Sequence, residues 1–239
     1  MQQKQNYIYL GTILGISLII TGSIFGYALY KSRVSDTLSV TGSAKQKITS
    51  DTAKWTATFN RTVPQDSLKS GYSMMKADEL VIMDFFKTNG VLEENINFLP
   101  IYLEDQSRYN PQAPKEYYLS RTVQVNLNDV KKITDLANNF QPIVDKGVTF
   151  STQSLEYFYS KLPELRVALL SDAVKDAKTR ASKIAEGTGK SLGVIKSASV
   201  GVVQVMPLNS VDVSDYGAYD TSSIEKEVMV TVKTAFRLR

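Results

Sequence analysis

The chain divides by pattern into one unbroken apolar stretch and a long remainder in which apolar positions recur at regular intervals. From Tyr7 to Tyr30 no side chain is charged, and Ile, Leu, Gly, Phe and Ala dominate. No polar face interrupts the run, so it lacks the amphipathic stripe of a helix packed on a soluble core. As a helix it measures about 36 Å, enough to cross a hydrocarbon core about 30 Å thick with some tilt. Tyr7 and Tyr9 at one end, and Tyr27 and Tyr30 at the other, suit the two water–lipid interfaces. The alternative is a cleavable signal peptide, with Gly26-Tyr27-Ala28 as its small-x-small site. The run exceeds the roughly 7–15 apolar residues of such a signal, and only Lys4 precedes it, which favours an uncleaved anchor. Lys4 on one side and Lys31 with Arg33 on the other nearly balance, so charge does not orient the segment. A short leader before a large domain is the usual layout with the N-terminus inside. The expected organisation is a cytoplasmic leader (1–6), a transmembrane anchor or uncleaved signal (7–30), a linker (31–36) and an extracytoplasmic domain (37–239).

Period two begins at once after the linker. Leu38, Val40, Gly42 and Ala44 alternate with polar neighbours, and Trp55, Ala57 and Phe59 alternate with Thr56, Thr58 and Asn60, as half-buried strands do. After Pro64-Gln65-Asp66 the period changes. Leu68, Tyr72, Met75, Met83 and Phe86 recur at helical spacing, and Asn89-Gly90 supplies a left-handed stop. Strands are expected near Ile96–Leu103 and Tyr117–Leu127, with a Pro-containing loop from Asp105 to Pro114 between them. Asn128 is placed to cap a short helix carrying Val130, Ile133, Leu136 and Phe140. A strand at Val148–Tyr157, a long helix at Pro163–Glu186 and a Val-rich strand at Val194–Val205 follow. A Gly/Ser/Asp/Tyr loop spans Pro207–Ser223, and Val228, Val230, Val232, Phe236 and Leu238 mark a last strand. The order β-β-α-β-β-α-β-α-β-β predicts an α+β fold, a mainly antiparallel sheet packed with helices. Residues 53–157 within it read as a ferredoxin-like β-α-β-β-α-β core, to which a long helix and two further strands are added.

Composition narrows the chemistry. The chain has 239 residues, no Cys and no His, and a net charge of +4. Without thiols there is no disulfide, thiolate nucleophile or zinc–thiolate site, and without imidazole the commonest general base and metal ligand are missing. Basic residues are scattered among acidic ones, as at Lys131-Lys132 and Asp135, which argues against nucleic acid as a partner. No catalytic, cofactor-binding or metal-binding residue is assigned, and no cofactor is expected.

Three strings invite chemistry and are better read as structure. Gly187-Thr188-Gly189-Lys190-Ser191 imitates the end of a phosphate-binding loop, but Ile184 stands where its first Gly belongs. A helix also precedes it, so the helix dipole points the wrong way. Asp212, Asp215 and Asp220 fail the calcium-loop register, with Tyr216 and Ser223 at ligand positions. Glu93-Glu94 reads as a turn. The thirteen Tyr include loop residues Tyr109, Tyr216 and Tyr219 that suit an interface as well as a half-buried position. Ala173, Ala177, Ala181 and Ala185 form a smooth helical stripe that lets a backbone come close, while Lys175, Lys178, Lys183, Asp172, Asp176 and Glu186 read as the solvated face.

That helix and its exit carry a family pattern. Ala173-x-x-Asp176-Ala177-x-x-Arg180-Ala181-x-x-Ile184-Ala185, then Gly189-x-x-Leu192-Gly193, resembles the signature of the SIMPL-domain family of bacterial envelope proteins. Val40-Thr41-Gly42 followed by Ser50-Asp51-Thr52-Ala53 resembles its opening strand and Pro-Asp-x-Ala turn, with Ser50 where Pro is common. The resemblance spans about Leu38 to Leu238. It implies export across the cytoplasmic membrane, ring- or barrel-like homo-oligomers in some members, and loose links to envelope and oxidative stress; it supplies no catalytic residues. The leading expectation is a non-enzymatic, single-pass inner-membrane protein with a periplasmic domain, bound to lipid through residues 7–30 and self-associating through sheet edges or Tyr-bearing loops. Its competitors are a binding protein for a small envelope ligand, a peptide or glycan held on a sheet face or the late loop, and a hydrolase using carboxylates alone.

Overall fold

The computed structural model describes residues 2–33, 36–106, 112, 115–210 and 216–239, with side chains from residue 10 in the first helix up to residue 30. Among the expectations above, Tyr109, Pro111, Pro114, Asp212, Ser214 and Asp215 lie outside the described residues, as do the side chains of Lys4, Tyr7, Tyr9, Lys31 and Arg33.

Helix α1 (Gln2–Arg33) contains the apolar run as one continuous helix. Leu10–Tyr30 is long and apolar enough to cross a membrane, and none of it is buried in the protein. Two of its hydroxyls are satisfied within the helix: Ser17 Oγ donates to the Ile13 carbonyl and Thr21 Oγ1 to the Ser17 carbonyl, each at 2.8 Å. Such back-bonding removes the cost of a bare hydroxyl in hydrocarbon.

The rest consists of strands β1 (Thr37–Thr49) and β2 (Thr52–Pro64), helix α2 (Leu68–Thr88), and strands β3 (Ile96–Phe98), β4 (Tyr102–Asp105) and β5 (Glu116–Leu127). Helices α3 (Val130–Asn138) and α4 (Gln141–Asp145), strand β6 (Thr149–Phe158), helix α5 (Leu162–Gly187) and strands β7 (Leu192–Pro207) and β8 (Glu225–Leu238) complete it. The strands make two sheets rather than one: β3-β5-β2-β6, with β4 also on β5, and β1-β8-β7. The chain forms two compact units, one of residues 44–172 and 201–231, the other of residues 1–43, 173–200 and 232–239.

In the larger unit the order β3-β5-β2-β6, antiparallel throughout, is the split β-α-β arrangement expected for residues 53–157. β2 is its central strand, paired to β5 with Ala57 opposite Val123, and to β6 with Phe59 opposite Phe150. Trp55 lies at the heart of the core, 5.5 Å from Phe86 and 5.8 Å from Phe150 in edge-to-face contacts, with its indole N–H donating to Thr152 Oγ1 at 3.1 Å. That satisfied N–H is what lets so large a residue be fully buried. Thr56 and Thr58 are buried too, so this strand is covered on both faces and not half-buried as its alternation indicates.

Local departures have local causes. The expected strand over Ile96–Leu103 breaks into β3 and β4 around Pro100, which has no N–H to give a ladder. There Arg121 donates from Nε to the Leu99 carbonyl at 2.6 Å and from Nη1 to Glu79 at 2.6 Å, with its guanidinium over Phe98. Asp129, one residue after the expected Asn128, caps α3 by accepting from the Lys132 amide. The helix then stops at Asn138, and α4 restarts with Pro142 in its first turn. Arg61 on β2 forks onto Asp78 of α2 with two bonds of 2.7 Å and donates to the Gly147 carbonyl.

In the smaller unit the alanine stripe meets β1. Ala173, Ala177, Ala181 and Ala185 are all buried. A Cβ added to Gly42 would run into the Ala173 carbonyl oxygen and the Ala177 amide nitrogen, and would sit 2.7 Å from the Ala177 Cβ. The family-like Gly of the opening strand and the family-like alanines of the long helix are therefore two halves of one backbone contact.

Candidate functional site

The most chemically unusual side chain is Lys226, which no motif in the sequence singles out. It is 1% exposed on β8. Its ammonium donates to the Tyr157 carbonyl at 2.6 Å and to the Asp220 carbonyl, and it stands 5.7 Å from the centre of the Tyr219 ring. Burial pushes its pKa below the ordinary lysine value, while the Asp220 charge pulls the other way. The signal that could have found it is the alternation: Lys226 shares the phase of Val228, Val230 and Val232, all buried. Enclosed by two carbonyls and out of reach of solvent, this amine ties the late loop down. The same loop pairs back on β7, where the Val205 amide donates to the Ala218 carbonyl and the Asp220 amide to the Val205 carbonyl.

Three carboxylates rich in hydrogen-bond donors are likewise spent on architecture. Asp220 accepts from the Ser222 amide and hydroxyl and the Ser223 amide. Burial alone would raise it, but these donors and the Lys226 charge hold it below its ordinary value. Asp51, in the family-like turn, accepts from the Ser160 amide at 2.7 Å, the Ser160 hydroxyl at 2.6 Å and the Thr52 hydroxyl at 3.0 Å. There too burial works upward and the hydrogen bonds from Ser160 and Thr52 prevail, leaving the pKa lowered. Asp176 accepts the Ser43 amide at 2.8 Å and pairs with Arg180 at 2.8 Å; the amide first and the guanidinium second hold it down. It thus belongs to the β1 contact and is not simply part of a solvated face. Each of the three is a poorer base than a free carboxylate, the opposite of what general-base work at neutral pH asks for.

The phosphate-loop look-alike is a helix end. Gly187 closes α5, Gly189 takes a φ of +71°, the amides of Thr188 and Lys190 bond back to the Ala185 carbonyl, and the Lys190 ammonium pairs with Asp36 at 3.1 Å. Glu93-Glu94 lies in a short 3-10 turn, with Glu93 paired to Lys87 at 2.6 Å. Tyr216 is 96% exposed, whereas Tyr219 is half covered beside Phe158.

Two surfaces stand out among the described residues. One is a groove of about 420 Å³ among α2, α3 and α4, with Val81, Phe85, Leu136 and Pro142 apolar and Asp84 and Asp135 acidic. Helix C-termini meet there: the side-chain amides of Asn89 and Asn139 donate to the carbonyls of Phe85 and Asp135. Asp84 is paired to Lys146 at 3.1 Å. The surface lies on the helical side; a smaller hollow of about 260 Å³, lined by Lys47, Ile48, Thr49, Leu208 and Glu225, lies beside the start of the late loop, one of the places expected for a ligand. The other is the edge strand β7, whose residues 194–202 are exposed on both faces.

The comparisons give a family without an activity. Residues 38–236 match the model of the SIMPL family, described as a protein of unknown function (DUF541). No curated protein matches the chain.

Proposed function

The chain belongs to the SIMPL family, and from that premise we propose that it is a non-catalytic, membrane-anchored module of the cell envelope that works by associating with copies of itself. The observation that carries this reading is β7: a long edge strand with Val194, Ile195, Val200 and Val202 exposed and almost no charge along it. Unpaired edges of this kind are templates for another strand, and proteins that stay monomeric blunt them. The anchor reading is supported by α1, apolar over Leu10–Tyr30 and unburied, and it puts N-terminal residues 1–6 in the cytoplasm and the α+β domain outside. The non-catalytic reading is supported by the carboxylates committed to capping and by a lysine closed off from any substrate. Sizing of the full-length chain in mild detergent tests it: complexes of two or more copies are expected, and a strict monomer at high protein concentration refutes self-association. Carbonate extraction and protease protection of cells test the anchor and its orientation.

A second reading is favoured by the helical groove: binding of a small ligand with an apolar body and a positive charge, seated on Val81, Phe85 and Leu136 with its cation toward Asp135, Asp84 being paired with Lys146. A ligand at a hundred times its dissociation constant adds about 2.7 kcal/mol of stability, readily seen in a thermal-shift series of matched amines and carboxylates.

A further inference from the structure

Among the described residues β7 has one strand neighbour, β8, so one side of its backbone is unpaired in the sheet. Reciprocal hydrogen bonds between Ser191 and Arg239, at 2.8 and 2.9 Å, fix where the start of β7 meets the end of β8. Residues 194–202 are exposed throughout, with no second strand beside them among the described residues. Val194 is 61% exposed and Val200 59%. Between Leu192 and Val202 the only charge is Lys196, and there is no Pro. The usual devices that protect an edge are therefore missing over this stretch.

The other edge of the same sheet is protected. The Leu238 amide donates to the Asp36 carbonyl, which turns even-numbered β1 residues toward β8 and Ser43 outward. The outward Ser43 amide is already taken by Asp176 Oδ2. Lys45 and Lys47 follow it, both exposed. An incoming strand would have to displace a carboxylate that Arg180 also holds, and then pass two exposed lysines, of which Lys45 is paired with Glu227 at 2.8 Å.

Building on the self-association reading above, we propose that β7 of one copy pairs antiparallel with β7 of a second copy across a twofold axis. The product is a closed dimer rather than a head-to-tail array of β7 on β1. A twofold contact requires each residue to tolerate its own image. An axis at Ser197 sets Val194 opposite Val200 and Lys196 opposite Ala198. An axis at Lys196 would set two ammonium groups face to face, which is destabilising. The register at Ser197 therefore joins apolar to apolar and leaves each lysine beside an alanine.

The chain has no Cys, so single cysteines report the pairing without background. Ser197 would stand opposite its own image, with Cα atoms about 4.5–5.5 Å apart, inside the roughly 4.4–6.8 Å range that a disulfide spans. The full-length variants S197C, A198C and T41C are oxidised mildly in detergent, alone and mixed. The expected result is a covalent dimer from S197C, less from A198C, and none from T41C on β1 or from the S197C/T41C mixture. V200K, with an unchanged circular dichroism spectrum, is expected to abolish the S197C link. Oligomers by sizing without self-linking at 197 or 198, or linking of S197C only to T41C, overturn the twofold pairing and leave self-association standing. A monomer by sizing overturns both.

Discussion

Gly42→Ala adds one methyl group where the structure has no room for it. The new Cβ would overlap the Ala173 carbonyl oxygen and the Ala177 amide nitrogen, and stand 2.7 Å from the Ala177 Cβ. Two of the three obstacles are backbone atoms of α5, so no side-chain rotation relieves them; the helix has to move off β1. Overpacking that forces backbone shifts costs about 1–3 kcal/mol, and a clash with backbone belongs at the upper end, about 3 kcal/mol. The shift would also stretch the 2.8 Å bond from the Ser43 amide to Asp176. For a domain of this size each kcal/mol moves the melting midpoint by about 2–4 °C, so a fall of about 6–12 °C is expected. Thermal melts of the full-length protein in detergent, followed by circular dichroism, measure it. Ala177→Gly added to G42A removes only the Cβ obstacle and is expected to recover part of the loss, giving a coupling between the two sites. A G42A midpoint within about 1 °C of the parent, well below that expected shift, would refute the close approach of helix and strand.

Other outcomes follow from the buried polar groups. Asp78→Ala leaves Arg61 without its forked partner and is expected to cost about 3 kcal/mol in chemical denaturation, as breaking a buried ion pair does. Asp51, Asp176 and Asp220 have folded pKa values below the ordinary 3.8, so the unfolded chain binds more protons than the folded one near that value. Their stabilisation is complete above it and is lost as pH falls through the folded values, so acid unfolding curves of D51N, D176N and D220N should be shallower than the parent's. Lys226→Met removes the donor shared by the Tyr157 and Asp220 carbonyls. Hydrogen exchange should then speed up at the Asp220 and Tyr157 amides, which bond Val205 and Thr221, before it does so in β2.

Strand and helix identity was largely legible because each periodic run here is long: β2, α2, β5, α5 and β8 all lie close to where alternation or helical spacing places them. What alternation does not encode is which strands share a sheet. Val40 and Trp55 sit in equally regular runs, yet one joins β8 and the other β5 and β6. Breaks were hidden where a single residue acts through what it lacks, as Pro100 does by withholding an N–H. Roles of charged residues were the least legible. Asp176 has the spacing of a solvated helix face, and only the approach of β1 at Gly42 turns it into a cap for Ser43. Lys226 was missed as well, although a lysine in phase with three valines of one strand face carries a mark of burial in the alternation.

The family pattern takes on a physical meaning from this. Gly42, Ala173 and Ala177 make the close contact, while Asp176 and Arg180 hold the edge of β1 shut beside it. Asp51 fixes the turn that leads into β2 by binding both donors of Ser160. The matching residues thus specify how the domain is built and which of its edges is closed, and none of them presents a free base or nucleophile. A pattern of that kind specifies a shape. If assembly through β7 is the activity, then D176A should act as a gain of function: freeing the Ser43 amide opens the second edge. Sizing should then show species larger than a dimer, provided the melting midpoint stays high enough for the domain to remain folded. A D176A protein that stays folded and stops at the parent's size would mean that Lys45 and Lys47 guard that edge by themselves.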